Sequence, residues 1–475
     1  MNESSSESRL PPLAPGLRGI VAAQTSASDE DAIAMIYYPF SPTLGYVCIG
    51  VFDGHNGPKT AIELSKTLAE AVVGGLADLY SLHAEKNSAM DVSSGIYIPG
   101  PGDLPNPVPP DEEIDETIRK MFVAWDNVIV HEAAQRVLGL DDASYAALQA
   151  NNNPDANAVI SNSPVKPPHF LQDAVSTLSN AWSGSCALLG LYNIEDRSLR
   201  VAVTGDSRAV LGRRVAVDGG FKYEVHHLTA DQNASNSDEA ARLTTLHPDE
   251  PELLKNKRVV GWGPSRAFGD GSMKWSRAVQ TRLNEEALSD RPRKECLTPP
   301  YFTAEPVVTT MKNIKKGDFA VFASDGLWDC LTSEEVVGLV GHWLEVKGMS
   351  EKVTELDGTT RVIRVPRPVE NQSFEVSSST PIPNSPNQEN VAKYKTCLPS
   401  ALPVDFPPSY TDNTTMYKWW KHEKKFICED DFIGLHLMRN ALGGANVDLG
   451  WALMDLQMPR ARRYRDDISI IVVFF

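Results

Sequence analysis

Two short apolar stretches, each followed by an Asp-Gly pair, constrain the fold of this sequence most. GYVCIGVF at 45–52 precedes Asp53 and Gly54, and FAVFAS at 319–324 precedes Asp325. Short runs rich in Val, Ile and Phe are typical of β-strands. The sequence holds five Asp-Gly pairs, and most such pairs mark turns. A buried strand that ends in a carboxylate is more specific, because it predicts a polar site at the end of a sheet.

Further strand-like stretches and several helical patterns extend along the chain. The strand-like stretches lie at 186–193, 199–205, 208–214 and 468–475. Apolar residues at helical spacing predict helices near 58–82, 111–137, 236–246, 333–346 and 430–442. Gly205, Asp206 and Ser207 are predicted to form a hairpin turn. Because hairpins are more evident than β-α-β units, the pattern predicts an α+β fold with layers of antiparallel strands and helices.

Three stretches rich in Pro, Gly, Ser and Asn interrupt this pattern, near 86–110, 141–168 and 346–411. Their composition predicts long surface loops that are inserted into a domain. Strand-like stretches lie on both sides of the insertions, so we expect a single domain over residues 19–475. Residues 1–18 are expected to be a flexible segment.

Other acidic residues also flank strand-like stretches. Asp466 and Asp467 precede the last stretch, Asp206 lies in the predicted turn, and Glu30 and Asp31 precede another apolar stretch. If these strand ends converge, the carboxylates repel one another unless cations neutralise them. A donor set of oxygen atoms suits Mg²⁺ or Mn²⁺. Two such ions can activate a water molecule for attack on phosphorus.

His55 lies two residues after Asp53. Beside a metal centre, an imidazole can protonate the oxygen that leaves phosphorus. The alternative interpretation is that each acidic residue only caps a turn. The residues by themselves leave both interpretations open.

Composition and charge narrow the possible classes of protein. The 475-residue chain has 62 acidic and 45 basic residues, and its net charge of −17 argues against a general nucleic-acid binder. Its six cysteines include no C-x-x-C pair and are expected to be reduced thiols of an intracellular protein. The longest apolar run, 468–475, is far shorter than the ~20 residues of a membrane-spanning helix. The N-terminal residues match neither a signal peptide nor a clear transit peptide.

Five motifs occur in an order that resembles a known family. They are VFDGHNG, VTGDSRAVLG, PSRAFGD, ASDGLWD and RDDISIIVV. Together they resemble the metal-dependent protein serine/threonine phosphatases of the protein phosphatase 2C family, over about residues 20–475. RLTTLHP at 242–248 and TPPYFTAEP at 298–306 are similar to the pyruvate dehydrogenase phosphatase branch.

The resemblance implies a fold, a cofactor and an activity. The fold would be an antiparallel β-sandwich flanked by helix pairs, a four-layer αββα arrangement with long loop insertions. The cofactor would be two Mn²⁺ or Mg²⁺ ions at one end of the sandwich, with a third, weaker ion in some members. The activity would be hydrolysis of phosphoserine and phosphothreonine, with pyruvate dehydrogenase or another phosphoprotein as the substrate.

The resemblance also implies roles for individual residues. Asp53 would bridge both ions, and the Gly54 carbonyl would bind one of them. Asp325 and Asp466 would complete the shell of one ion, and Glu30 would serve the other ion through bound water.

Supporting roles follow from the same resemblance. His55 would be the general acid, and Asp31 would support the neighbouring glutamate at the second ion. Asp206 and Asp329 match positions that help to hold the third ion. Asp467 would lie outside the ligand shell.

One position departs from the pattern of the family. Many members carry an arginine four residues before the Glu-Asp pair, where it binds the substrate phosphate, and this sequence has Ser26 there. The pyruvate dehydrogenase phosphatase branch also lacks that arginine. An alternative function is therefore a catalytically weak phosphatase-like scaffold that binds phosphoproteins. A two-metal nuclease is a third candidate, which the acidic net charge disfavours. Asp270 in AFGD is assigned a structural role.

The expected partner is a phosphoprotein, with no nucleic acid and no membrane span. The resemblance predicts a mitochondrial location, whereas the lack of a clear transit peptide favours the cytoplasm. The residues favour no particular oligomeric state.

Overall fold

The computed structural model describes residues 17–39, 45–94, 108–152, 167–218, 220–354, 360–367, 372–376 and 395–475. Two β-sheets form its centre. The first consists of β2 (Ala32–Pro39), β3 (Gly45–Phe52), β6 (Ala187–Asn193), β7 (Ser198–Thr204) and β13 (Val307–Met311), in the order β13-β7-β6-β3-β2. The second consists of β1 (Gly19–Thr25), β8 (Arg208–Val217), β9 (Gly220–His227), β14 (Phe319–Ala323), β17 (Gln372–Val376) and β20 (Ile468–Phe474), in the order β17-β1-β20-β14-β8-β9.

Alternating side chains of the two sheets fill the space between them. Ile49 of β3 and Phe322 of β14 belong to one buried apolar cluster, together with residues of β6, β7, β8 and β20. Gly190 in β6 makes room for a ring from the facing sheet, because a Cβ atom there would collide with the Phe322 ring. The strands pair in antiparallel fashion, except that β1 and β17 are parallel. The core is therefore a sandwich of two mainly antiparallel sheets.

Helices cover the outer face of each sheet. The first sheet is covered by α1 (Lys59–Ser94), α2 (Asp111–Asn127), α3 (Ala133–Leu138), α4 (Asp142–Gln149), α5 (Phe170–Trp182) and α7 (Arg277–Ala287). The second is covered by α8 (Asp325–Trp328), α9 (Ser333–Lys347), α11 (Ile433–Ala441) and α12 (Val447–Asp455). In α2, Ile114, Ile118 and Phe122 recur at a spacing of four residues and are fully buried. These four layers confirm the predicted α+β fold.

Smaller elements connect the layers. The remaining α-helices of the described residues are α6 (Ser237–Leu246) and α10 (Met416–Trp420), and a π-helical turn (Val128–Glu132) joins α2 to α3. Three 3₁₀ turns lie at Gly271–Met273, Pro399–Ala401 and Ala461–Arg463. The short strands β4 (Gly54–His55), β5 (Gly184–Ser185) and β12 (Phe268–Gly269) form a three-stranded sheet. Three two-stranded ladders are β10 (Leu254–Lys255) with β11 (Arg258–Val259), β15 (Met349–Thr354) with β16 (Thr360–Val365), and β18 (Thr396–Cys397) with β19 (Phe426–Ile427).

The predicted hairpin turn at Gly205, Asp206 and Ser207 is wrong. β7 pairs with β6 and β13 in the first sheet, whereas β8 pairs with β9 and β14 in the second. Val203 and Ala209 both lie in the apolar cluster between the sheets, so the chain crosses from one sheet to the other at this point. Local sequence does not distinguish such a crossing from a hairpin, because both need a tight turn between two apolar strands.

The stretches predicted to be inserted loops contain regular elements in their described parts. Helix α1 continues to Ser94, α4 lies within 141–168, and the β15–β16 ladder and β17 lie within 346–411. In β16, Ile363 and Val365 are buried and alternate with more exposed residues, which is the pattern of a half-buried strand. Residues 95–107, 153–166, 355–359, 368–371 and 377–394 of these stretches, and residues 1–16 of the predicted flexible segment, lie outside the described residues.

The contact between Phe322 and Gly190 generates a stability prediction. In Phe322→Ala, we expect the free energy of unfolding to fall by about 3–5 kcal/mol, because a large cavity opens between the sheets. Val307→Ala on the edge strand β13 is the control, since that side chain is 43% exposed. The control should cost less than about 1 kcal/mol. Urea unfolding followed by circular dichroism measures both, and equal losses would contradict this account of the core.

Candidate metal centre

The two Asp-Gly pairs that follow buried strands meet at one end of the sandwich. Asp53 follows β3 of the first sheet, and Asp325 follows β14 of the second sheet as the first turn of α8 begins. The Asp325 backbone N–H donates a hydrogen bond to Asp53 Oδ2 at 3.4 Å. The packing of the two sheets thus brings together carboxylates that are 272 positions apart in the sequence.

Asp206 also lies near Asp53 and Asp325, in the segment that connects β7 to β8. Its Oδ1 atom lies 3.3 Å from Cys186 Sγ, and the Cys186 backbone N–H donates to the Asp53 carbonyl at 2.8 Å. Gly205 has a φ of 106°, and a Cβ atom there would collide with the Cys186 side chain. The crossing therefore requires glycine at this position and holds Asp206 close to Asp53.

Burial and mutual repulsion raise the pKa values of these carboxyl groups. Burial raises the pKa of Asp53 well above its usual value, and the charge of Asp325 raises it further. The pKa values of Asp206 and Asp329 rise to about 7, in each case first because of burial and then because of the Asp325 charge. Burial is also the main cause of the raised pKa of Asp325. Such a cluster retains protons near neutral pH unless cations neutralise it.

Asp31 and Asp467 differ in how the protein stabilises their charge. Burial and then the Asp467 charge raise the pKa of Asp31 to about 7. Burial also acts to raise the pKa of Asp467, but backbone N–H groups from the 27–30 loop lower it below its usual value. The Ser28 and Glu30 N–H groups donate to Asp467 at 2.8 Å, and the Ala27 N–H also donates. Asp467 is thus a charged anchor for the loop that carries Glu30.

Gly54 and Gly326, the glycines of the two Asp-Gly pairs, each allow two segments of the chain to approach closely. A Cβ atom at Gly54 would collide with the Glu30 carbonyl oxygen, and one at Gly326 would collide with the Asp467 carbonyl oxygen. The Glu30 carboxylate accepts a hydrogen bond from the Gly57 N–H at 2.6 Å. The sequence resemblance predicted a metal-binding role for Asp53, Asp325 and the Gly54 carbonyl, and the structure adds that each glycine permits close packing.

His55 forms a direct pair with Asp270 beside the carboxylates. His55 Nε2 lies 2.6 Å from Asp270 Oδ2, on the small sheet of β4, β5 and β12. Burial lowers the pKa of His55, but the charge and hydrogen bond of Asp270 outweigh it and raise the pKa above its usual value. A Cβ atom at Gly184 would collide with both side chains, so that glycine makes room for the pair. The structural role assigned to Asp270 from sequence did not include this contact.

Asp466 is held by an arginine in this structure. Its Oδ1 atom accepts from the Asp467 N–H at 2.7 Å and pairs with the guanidinium of Arg462, four residues earlier. The Arg462 charge also acts to lower the pKa of Asp325, so this cation lies near the centre. Among the described residues, no three His, Cys, Asp or Glu side chains stand close enough together to hold an ion as they are placed.

The donor types nevertheless fit a hard divalent cation. The candidate ligands are carboxylate oxygens of buried aspartates whose pKa values are raised first by burial and then by one another's charges. Divalent ions such as Mg²⁺ and Mn²⁺ prefer oxygen donors of this kind. A bound cation would relieve the repulsion that otherwise favours protonation.

Sequence reasoning missed Asp231, Arg462 and the contact made by Asp270. Asp231 forms an ion pair with Arg208 at 2.6 Å, and its charge also acts to raise the pKa values of Asp206 and Asp329. For Arg462 the sequence did offer a signal, because this arginine lies one helical turn before Asp466. Asp231 gave no signal, because it follows a strand of ordinary composition.

Comparison with known proteins identifies the family of this chain. The family model described as Protein phosphatase 2C matches residues 115–357. A protein phosphatase 2C homolog of Schizosaccharomyces pombe is 34% identical over 90% of this chain and 72% of its own length. The mitochondrial pyruvate dehydrogenase phosphatase 1 of Saccharomyces cerevisiae is 31% identical over 90% of this chain and 61% of its own length. The human mitochondrial pyruvate dehydrogenase phosphatase 2 is 32% identical over 62% of this chain and 56% of its own length.

The chain belongs to the protein phosphatase 2C family. It is accordingly an enzyme of the protein serine/threonine phosphatase class. Dependence on Mn²⁺ or Mg²⁺ is a general property of protein phosphatase 2C enzymes. Among the helices in the described part of the chain, none has the length and hydropathy needed to cross a bilayer.

The raised carboxyl pKa values generate a pH prediction for the metal-free protein. Between about pH 4 and pH 7, the folded chain holds protons that the unfolded chain has lost, so stability falls as pH rises. We expect the melting temperature in EDTA to be lower at pH 8 than at pH 5. In Asp206→Asn, the fall in the free energy of unfolding between pH 5 and pH 8 should be smaller by roughly 2–3 kcal/mol, because the variant lacks one carboxyl group with a raised pKa.

Asp431→Asn is the control for this experiment, since the Asp431 side chain is 79% exposed on the surface. It should lose as much stability as the unmodified chain between the two pH values. An undiminished loss in Asp206→Asn would show that the carboxyl group is not protonated as the geometry indicates.

Proposed function

We propose that this chain is a metal-dependent phosphatase in which two Mn²⁺ or Mg²⁺ ions bind at the carboxylate end of the sandwich. Its substrates would be phosphoserine and phosphothreonine residues of another protein. The observation that supports this most directly is the buried cluster around Asp53, Asp325 and Asp206, whose pKa values rise through burial and repulsion. Such a cluster does not stabilise the fold by itself. Binding of cations accounts for its presence.

The ligands would come from both sheets and from the loop that precedes β2. Asp53 would help to hold both ions, the Gly54 carbonyl, Asp325 and Asp466 would hold one of them, and Glu30 would serve the other. Asp31 would support Glu30, and Asp206 and Asp329 would serve a third, weaker ion. When bound, the ions supply Lewis-acid activation of a water molecule for attack on phosphorus. Asp466 would then exchange its ion pair with Arg462 for a metal contact.

His55 would supply the proton for the departing serine or threonine oxygen. Asp270 raises the pKa of His55, so the imidazole is protonated over a wider range of pH. The hydrogen bond at 2.6 Å fixes Nε2 on Asp270, which leaves Nδ1 to carry the second proton of the imidazolium. Water attacks phosphorus directly, the bond from phosphorus to the side-chain oxygen breaks, and that oxygen takes the proton from His55.

Pyruvate dehydrogenase is the candidate substrate, and the mitochondrion the candidate location. Both are suggested by the names of the S. cerevisiae and human relatives. Dephosphorylation of a phosphorylated pyruvate dehydrogenase preparation and imaging of the tagged chain in cells test the two parts separately. A cytoplasmic signal would leave the chemistry in place and redirect the search for the substrate.

Asp325→Asn tests the metal-dependent chemistry. The chain should hydrolyse a phosphothreonine peptide in Mn²⁺, EDTA should abolish turnover, and the variant should lose at least about 100-fold in kcat because a ligand is removed. The exposed Asp431→Asn variant should keep full activity. If the unmodified chain binds Mn²⁺ without any turnover, a phosphatase-like scaffold, which Ser26 makes conceivable, replaces the proposal.

The His55 and Asp270 pair generates a prediction about pH and leaving group. His55→Ala should lower kcat about 100-fold on a phosphoserine peptide and much less on p-nitrophenyl phosphate, whose leaving oxygen needs no proton. Activity falls as pH rises through the His55 pKa, so Asp270→Asn should shift that fall to lower pH, because the charge that raises this pKa is lost. Exposed Asp290→Asn should leave the profile unchanged. Equal losses on both substrates in His55→Ala would contradict the general-acid role.

A further inference from the structure

Two cysteine thiols face each other across the β18–β19 ladder. Thr396 pairs with Ile427 and Cys397 with Phe426, and the Cys428 N–H donates to the Lys395 carbonyl at 3.0 Å. In an antiparallel ladder, side chains two residues apart lie on the same face, so Cys428 shares a face with Cys397. Their Sγ atoms are 2.7 Å apart.

That separation is close to bonding distance. A disulfide bond is about 2.05 Å long, so the sulfur atoms need to approach by only roughly 0.7 Å. The backbone pairing on both sides already holds the two strands in register. The other described cysteines are Cys48, Cys186, Cys296 and Cys330, all of them buried, and no other two thiols of the described residues form such a contact.

We propose that Cys397 and Cys428 form a reversible disulfide that closes the strap, which we define as residues 398–427. The sequence predicted reduced thiols for all six cysteines, and Cys397 and Cys428 are in contact without a bond in this structure. Disulfides are uncommon in reducing compartments, so this bond would form on exposure to an oxidant rather than serve as a permanent part of the fold. The inference about the bond itself does not require phosphatase activity.

The two thiols differ in a way that favours stepwise oxidation. Cys397 is partly exposed, whereas Cys428 is buried. The hydrogen bond from Cys428 lowers the pKa of Cys397, although burial opposes this, and the same contact raises the pKa of Cys428. Cys397 is therefore the thiol that can meet an oxidant as a thiolate.

A low-molecular-weight disulfide such as oxidised glutathione would supply the oxidant. The Cys397 thiolate attacks one of its sulfur atoms, a mixed disulfide forms, and one glutathione thiolate leaves. Cys428 then loses its proton and attacks the Cys397 sulfur, which releases the second glutathione. The two cysteines lose two protons and two electrons in total, and the small disulfide is reduced to two thiols.

The strap that this bond would close contacts the backbone of the candidate metal centre. The Thr415 and Met416 N–H groups donate to the Asp329 carbonyl at 3.0 and 3.1 Å. Trp420 Nε1 donates to the Tyr464 carbonyl at 2.9 Å, two residues before Asp466. Any effect of oxidation on turnover rests on the proposed function, whereas the restraint on the strap does not.

Lys424 connects the end of the strap to helix α9. Lys424 Nζ lies 2.7 Å from Glu335 and 3.0 Å from Asp412, and its side chain is only 6% exposed. Glu335 belongs to the capping box at the start of α9. A covalent bond between Cys397 and Cys428 would add to these contacts by limiting the freedom of the strap in the unfolded chain.

Oxidation of the full chain with glutathione disulfide tests the proposal. Titration should find six free thiols before oxidation and four afterwards, and mass spectrometry without reduction should find a peptide that joins Cys397 to Cys428. The melting temperature should rise by about 3 °C and return after dithiothreitol is added. Trypsin should cut the strap more slowly in the oxidised chain.

Two variants complete the test. Cys397→Ser should abolish the cross-link, the rise in melting temperature and the protection from trypsin, whereas Cys48→Ala, which changes a thiol in β3, should keep all three. Six free thiols after oxidation, or a cross-link between other cysteines, would overturn the proposal on the unmodified chain alone. None of these measurements uses phosphatase turnover, so a failure here is distinguishable from a failure of the proposed function.

Discussion

The burial of several carboxylates at one end of the β-sandwich is the constraint on which the rest of the site depends. Burial and neighbouring charges raise the pKa of Asp53, and Asp206 behaves in the same way. Such groups must be protonated, paired with cations or bound to metal ions. The structure provides cations at the margin through Arg462 and Arg208, which pair with Asp466 and Asp231. Among the described contacts, Asp53 and Asp206 have no such ion pair. Divalent ions would therefore stabilise the negative charges of these two carboxylates most.

The surrounding backbone allows these charges to approach one another. Gly54 and Gly326 let the segments of Glu30 and Asp467 pass within contact distance, and Gly184 does the same for His55 and its aspartate partner. Asp467 stays charged because backbone N–H groups surround it, so it can anchor a loop without a metal ion. Aspartates therefore have two different roles at this site: Asp467 is a charged anchor, whereas Asp53 and Asp206 are candidate cation ligands. The number of backbone N–H donors around each carboxylate decides between the two roles.

Much of the architecture follows from patterns that are local in the sequence. The apolar strands and the helix with Ile114 and Ile118 were sufficient to predict layered antiparallel sheets, whereas the acidic residues at strand ends left open whether they form one centre or only cap turns. The connection at Asp206 was predicted wrongly, because a turn within one sheet and a crossing between two sheets use the same residues. The pairing of Asp270 with His55 was also missed, since it joins positions 215 residues apart.

The sequence by itself determined the strands that precede the two Asp-Gly pairs, the helix with Ile114 and Ile118, and which acidic side chains stand at strand ends. These properties depend on apolar periodicity and turn chemistry within a few residues. Only the tertiary structure decided that β7 and β8 belong to different sheets, that His55 pairs with Asp270, and that Cys397 meets Cys428. Each of these depends on how separate segments pack. A contact of this kind is set by the distance between side chains in space, which no spacing along the chain specifies.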